Sequence, residues 1–336
     1  MEGLATGTQS FPAAFMRHDV AELEHFPQHG ALQILVSLLR KLSPDSLSVM
    51  EFKSELDVQI AQKMLRFPLL GEQIAGVWNL KLTAEFHMTN DSGLFKTEPG
   101  KGRLPLYEGK MIHQYDAYFA EPRYWVDEIE GRKAVLGRGV KDTGQVLDYQ
   151  RYRLGFRAIA RNTDTRTAIV GPVPSRVFCG NSLLVLHQDD INHKMTNNEV
   201  FFAQAALNSF VIDFFLRQMV SANINMFYLY QLPIPRLTTR DPAFAPLVKR
   251  AARLICTTPE FDALAKEVGL GSHTAGARDP SERAKLRAEI DGLVAHLYGL
   301  TEDEFVHVLN AFPLVAEPVK EAARNAYRDV ARGLVK

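Results

Sequence analysis

RYRLGFRAIARNTDTRT, residues 151–167, holds five arginines and one acid, in a 336-residue chain whose 39 basic and 39 acidic side chains cancel. Arg151, Arg153 and Arg157 fall on one parity; Tyr152, Leu154 and Phe156 fall on the other. Strand side chains alternate between faces, so the stretch reads as a β-strand with one apolar and one cationic face. Asn162 to Thr165 form a polar turn at its end, and AIVGPVPSRVFCGNSLLVL (168–186) follows as two short strands broken by Pro and Gly.

Working outward, VWNLKLTAEFHM (77–88) and RLPLYEGKMIHQY (103–115) alternate as well, joined by the turn TNDSG, and VLGRGVKDTGQV (135–146) is a Gly-rich loop. Both flanks are different in texture. Residues 1–30 have no period and read as an irregular entry. ALQILVSLLRKL (31–42) has helical spacing stopped by Ser43-Pro44-Asp45, and a second helix is expected from about Ser54 to Arg66. On the C-terminal side, a helix is expected from about Glu199 to Val220 with Asn197 or Asn198 as N-cap, then an extended NINMFYLYQLPIPRL (223–237), whose prolines push their predecessors out of the α region. Capping-box starts at Asp279-Pro280-Ser281-Glu282 and Thr301-Glu302-Asp303-Glu304 predict helices near 280–298 and 302–311, with another at 317–333. The expected fold class is therefore α+β. A helical connector (1–75) precedes a strand-rich recognition segment (76–240), and a helical segment (241–336) follows.

At 46% hydrophobic the chain has ample material for a buried core. Zero net charge excludes a uniformly basic nucleic-acid coat but leaves room for a local patch. Two cysteines, Cys179 and Cys256, make neither a disulfide framework nor a zinc site, which points to a reducing cytoplasm. The longest apolar run, ALNSFVIDFFLRQMV (206–220), is interrupted by Asp213 and Arg217 and is too short for a bilayer, so no membrane association is expected. No basic and apolar leader opens the sequence.

Chemistry-bearing motifs are sparse. Glu108-x-Lys110 with Asp91 upstream can hold a divalent metal for phosphodiester cleavage, and a solvated strand edge explains the same residues. DPAF (241–244) lacks the second proline of a base-holding loop and reads as a helix start. Neither LGRGVKDTG nor VGLGSHTAG completes Gly-x-Gly-x-x-Gly, the histidines are scattered, and there is no nucleophile elbow or P-loop. The arginine cluster is the stronger signal. Six arginines between 151 and 176 face only Asp164, and close like charges repel by about 1 kcal/mol per pair even in water. Arg151, Arg153, Arg157 and Arg161 are accordingly expected to contact phosphates. Lys110, His113, Gln114, Asn162, Thr163, Arg166, Arg176, Asn223 and Asn225 are expected at bases or sugars, by residue type and loop position. The competing expectation is that the arginines pair with carboxylates such as those of DEIE (127–130), that Phe227, Tyr228 and Tyr230 pack in the core, and that the aromatic segment and C-terminal helices dock a protein partner.

Six stretches taken together resemble, in order, the C-terminal half of large type IIG adenine-N6 DNA methyltransferases of restriction-modification systems. They are SPDSLSVMEFKSELDVQIAQKMLRFPLLGE, FHMTNDSGLF, PLYEGKMIHQYDAYF, YRLGFRAIARNTDTRTAIV, VPSRVFCGNSLLVL and LNSFVIDFFLRQMVSANINMFYLYQLPIP, over roughly residues 42–315. The resemblance implies a target-recognition region that binds double-stranded DNA in a phage-defence setting. In the family a separate Rossmann-like domain binds S-adenosylmethionine and transfers the methyl group. This chain has no Phe-x-Gly-x-Gly loop and no Asn-Pro-Pro-Tyr loop. No cofactor is therefore expected on it, and the expected partners are duplex DNA and a methyltransferase domain or subunit. The family also follows EGKMIHQYD with a more basic tail than the AYF found here.

Overall fold

The arginine stretch is a strand, but one covered on both faces. The computed structural model describes residues 7–15, 17–42, 50–188, 194–220 and 223–336. Its N-terminal part is a hairpin of β1 (Ser10–Ala13) and β2 (Leu32–Leu35), followed by α1 (Val36–Leu42) and α2 (Glu55–Met64). The middle holds β3 (Leu82–Thr83), β4 (Phe95–Lys96), β5 (Arg103–Tyr107), β6 (Tyr124–Asp127), α3 (Glu128–Leu136), β7 (Arg153–Arg157), β8 (Val170–Val173), β9 (Phe178–Cys179) and β10 (Leu183–Leu186). The remainder is helical: α4 (Asn197–Leu207), α5 (Phe210–Arg217), α6 (Met226–Tyr230), α7 (Phe244–Ile255), α8 (Asp262–Glu267), α9 (Pro280–Leu297), α10 (Glu302–Asn310) and α11 (Glu317–Ala331). The chain is an α+β protein.

Two four-stranded sheets form the middle, in the orders β3-β10-β7-β8 and β4-β6-β5-β9. In the first, Phe156 stands opposite Leu184 and Val170, while Arg153 stands opposite Val173 and Arg157 opposite Leu183. Opposed residues share a face. Leu154, Phe156, Val170, Leu184 and Leu186 therefore join the principal core. The other face carries Val173, Leu183 and Val185 into a second apolar cluster with Tyr107, Met111 and Cys179, against the second sheet. The parity read from the sequence holds for Arg153 to Arg157, with Arg151 and Tyr152 lying before the strand, but the arginine face is not a solvent face. Gly155 is required there, because a Cβ would sit 2.6 Å from Val173 Cγ2.

The principal core draws on residues from Ile34 to Tyr327. The helical segment is thus continuous in packing with the strand-rich one. Helices α9 and α11 lie so close that a Cβ on Gly292 would come within 2.8 Å of the Ala326 backbone.

Several local expectations are corrected. Residues 32–35 are strand, because Ser10–Ala13 pairs with them; the helix begins only at Val36. The proposed stop at Ser43-Pro44-Asp45 lies outside the described residues. EIEGRKAVL forms α3, capped by Asp127, whose carboxylate accepts from the amides of Ile129 and Glu130. The single helix expected from Glu199 to Val220 is two helices bent by 62°, because Ser209 starts a new N-cap directly after Asn208, the C-cap of α4. Thr196, with Glu199, caps α4 in place of Asn197 or Asn198. Met226–Tyr230 is a helical turn capped by Asn225, so only the residues after it are extended. The three C-terminal helices fall within two residues of their expected ends. Among the described residues no single helix is long and apolar enough to cross a membrane.

Candidate nucleic-acid interface

The loop after β7 is built around one buried carboxylate. Asp213, fully buried in the first turn of α5, accepts from the amides of Thr167 and Ala168 (both 3.1 Å), from Arg166 Nε (2.6 Å) and from Arg217 Nε (3.3 Å). Arg217 also donates to the Asp164 carbonyl, and the Arg161 amide donates to the Asp164 carboxylate at 2.9 Å. Both arginines stack on aromatic rings, Arg166 on Phe210 at 4.2 Å and Arg217 on Phe312 at 4.2 Å. Beside them the Asn208 side chain pairs both backbone groups of Val170, at 2.9 and 2.7 Å, and so closes the free edge of β8. The loop 161–167 is therefore held at its base while its tip stays in solvent.

A second segment lies against that tip. Ile159 bridges to Asn223, and the Ile224 amide donates to the Ala158 carbonyl at 2.9 Å. Asn162, Phe227, Tyr228 and Arg217 line one recess of about 330 Å³. The Arg161, Asn162 and Thr163 side chains and that of Asn223 have no hydrogen-bond or ion-pair partner among the described residues, and Asn225 caps the Tyr228 amide at 3.2 Å. Ile159 (59% exposed) and Phe227 (52% exposed) add apolar surface. Residues about sixty positions apart thus form one surface of a cation, amides, hydroxyls and an exposed ring. Phe227 is not a core residue, whereas the Tyr230 hydroxyl accepts from the Leu82 amide at 2.9 Å and is structural.

The arginine series divides. Arg153 is 2% exposed and is a correction: Glu85 binds its guanidinium, and the Val177 carbonyl accepts from it at 2.7 Å. Burial opposes its charge, but Glu85, Cys179 and Asp148 around it together hold its pKa above the ordinary arginine value. Arg166 is likewise corrected, from a base contact to a ligand of Asp213. So is Gln114, which is buried and donates to the Ala168 carbonyl at 2.7 Å and the Asn208 carbonyl at 3.3 Å. Arg176 is exposed and pairs with Glu128 of the DEIE run at 2.9 Å. Arg151, Arg157 and Arg161 make no ion pair among the described residues. Arg157 lies near Gly109, close enough that its Cγ would contact a Cβ there at 3.2 Å. Arg151 lies at the other end of the strand, in a recess of about 790 Å³ shared with Asp148, His187 and Lys194.

Lys110 is exposed and pairs with Glu108 at 3.2 Å. His113 is half-buried and stacks on Phe119 at 4.8 Å; burial, then Arg287, Arg157 and Arg166, hold its pKa below the ordinary histidine value. Asp91 closes its own turn by accepting from the His87 amide at 2.6 Å. Among the described residues no three His, Cys, Asp or Glu side chains group as a metal site. The residues that sequence reading missed are Asp213 and Asn208. Their signal was present as polar side chains inside an apolar run.

No family model and no curated protein matches this chain. Among solved structures it is similar to the type IIL restriction-modification enzyme MmeI in complex with DNA, with 12% identity and a TM-score of 0.41 over 77% of this chain. The match spans 38% of the MmeI chain.

Proposed function

We propose that this chain recognises a specific site in double-stranded DNA on behalf of an adenine-N6 methyltransferase domain or subunit of a restriction-modification system. In this reading S-adenosylmethionine is held by that partner, and the strand-rich segment 76–240 does the reading. The observation that carries it is the pairing of Ile159 with Asn223, which brings the loop carrying Arg161, Asn162 and Thr163 beside the segment carrying Asn225 and Phe227, with Asn162 and Phe227 lining one recess. Amides and hydroxyls on a rigidly held loop suit base edges, and unpaired guanidiniums at its margin suit phosphates. The ordered series of stretches that resemble type IIG methyltransferases supports the same assignment. Arg157 and Arg161 are the phosphate contacts near the loop in this reading, and Arg151 is a further one at the other end of the strand. Arg153 positions the strand that carries Arg157 and leads into the loop of Arg161.

Selection from a randomised duplex library, followed by anisotropy titration of the enriched sequence over a range of salt, tests the proposal. One short motif is expected to emerge. Arg157→Ala and Arg161→Ala are each expected to reduce the slope of log affinity against log salt by about 1. Enrichment of no sequence, or slopes unchanged by both variants, would remove the reading.

A further inference from the structure

A cavity of about 420 Å³ lies between the His113-Gln114-Tyr115 turn and the helical segment, with Thr165 and Arg166 from the base of the loop after β7 on its wall. Ala284, Arg287, Ala288 and Asp291 line it from one face of α9, and Pro318, Val319 and Ala322 from α11. Its volume is that of a small-ligand site, about 300–1,000 Å³. Its mouth is apolar, with Leu314 63% exposed and Val319 49% exposed, together with Ala316 and Pro318.

The charged groups inside are not equivalent. Arg166 is bound by Asp213, and Asp291 accepts from the Phe210 amide at 2.8 Å. Arg287 has no carboxylate within ion-pair distance among the described residues. Its Nη2 reaches the Gln114 carbonyl at 3.3 Å, and its Nε is buried with no hydrogen-bond partner. A guanidinium donor out of water without an acceptor is costly, and a carboxylate satisfies Nε and Nη together through two parallel hydrogen bonds. The apolar mouth disfavours a phosphodiester backbone, which needs water or cations on every side.

We propose that this cavity binds a carboxylate carried on an apolar body, with Arg287 as the anion's partner and Leu314, Val315 and Val319 around the apolar part. The carboxylate comes either from a free organic acid or from an acidic side chain among apolar ones on a partner chain. The site does not depend on the DNA-recognition reading.

Methyl-labelled full-length protein titrated with sodium octanoate and, in parallel, with octanamide provides the test. Octanoate is expected to shift the Leu314, Val315 and Val319 methyl resonances saturably, and octanamide to bind at least tenfold more weakly. Arg287→Met should erase that preference. Leu314→Ser, at an exposed position, should weaken both ligands without disturbing the fold. A capped Leu-Leu-Glu-Leu-Leu peptide that binds more tightly than octanoate assigns the partner chain as the source, and one that binds more weakly assigns a free acid. Equal binding of octanoate and octanamide, absence of saturable shifts, or an unchanged preference in Arg287→Met overturns the proposal. Duplex DNA added to the same samples separates the two readings, because displacement of octanoate by DNA would assign the cavity to the DNA surface and overturn it too.

Discussion

Asp213 Oδ2 lies 2.6 Å from Arg166 Nε, with the carboxylate wholly out of water and the guanidinium nearly so. The pair joins α5, in the middle of the principal core, to a loop that otherwise projects into solvent. Two loop amides and Arg217 share the same carboxylate, so the chain conformation from Arg161 to Ala168 depends on it. Removing one partner of such a pair leaves a buried charge uncompensated, which costs about 3–5 kcal/mol. Asp213→Ala is expected to destabilise the protein by that amount in urea unfolding. Asp213→Asn should lose less, because its carbonyl still accepts from the loop amides. Equal stability of Asp213→Ala and the parent would show that the loop is held by other contacts.

Arg153 and Arg161 stand eight residues apart and are expected to respond in opposite ways. Arg153→Met strands Glu85 in the core and should lower stability by about 3–5 kcal/mol. Arg161→Ala removes an exposed, unpaired side chain and should stay within about 0.5 kcal/mol of the parent. Urea midpoints for the two variants decide the point, and a milder effect at Arg153 than at Arg161 would contradict the burial described above.

The contrast shows what periodicity conveys. Alternation placed Arg153 and Arg157 on one face correctly, because parity is a property of the strand alone, but Arg151 falls before the strand begins. Whether that face meets water depends on which other segment covers it, and the cover here comes from residues near 107 and 177–185. Helices α9, α10 and α11 were legible to within two residues, α9 and α10 because Asp279 and Thr301 open local capping signals, whereas Ala316 before α11 makes no side-chain cap. The β1–β2 hairpin was not, since apolar residues at 34, 38, 39 and 42 satisfy either a helix or a strand followed by a helix. The pairing of Ile159 with Asn223 was invisible for the same reason: it is a long-range contact with no local mark. Asp213 did leave a mark. A carboxylate in the middle of VIDFF either breaks the run or is buried with partners, and the structure has chosen the second.

Gly171 on β8 faces the turn that carries His113. A Cβ there would lie 2.7 Å from the His113 carbonyl and 3.0 Å from Ile112 Cβ. The turn is already constrained, with Tyr115 at φ 61° and paired hydrogen bonds between His113 and Asp116. Gly171→Ala must therefore displace backbone, at a cost of about 1–3 kcal/mol. Amide exchange at residues 113–116 should accelerate in the variant, and unchanged protection there would mean that the strand yields instead.

Burial pushes the Asp291 carboxyl up to about 6; Arg166, the Phe210 amide and Arg287 favour its ionised form, and Asp213 opposes it. A carboxyl whose folded-state pKa lies above the unfolded value of 3.8 binds its proton more tightly in the native state. Its contribution to stability is therefore full below pH 3.8 and is lost as pH rises through 6. At 1.36 kcal/mol per pK unit, the loss between pH 4 and pH 7 is about 2 kcal/mol. Asp291→Asn keeps an acceptor for the Phe210 amide and cannot ionise, so it escapes that loss. The variant is expected to gain about 2 kcal/mol relative to the parent on passing from pH 4 to pH 7. Urea unfolding of both proteins at the two pH values measures the difference directly. A gap between them that does not change with pH would mean that the Asp291 carboxyl titrates alike in the folded and unfolded chains.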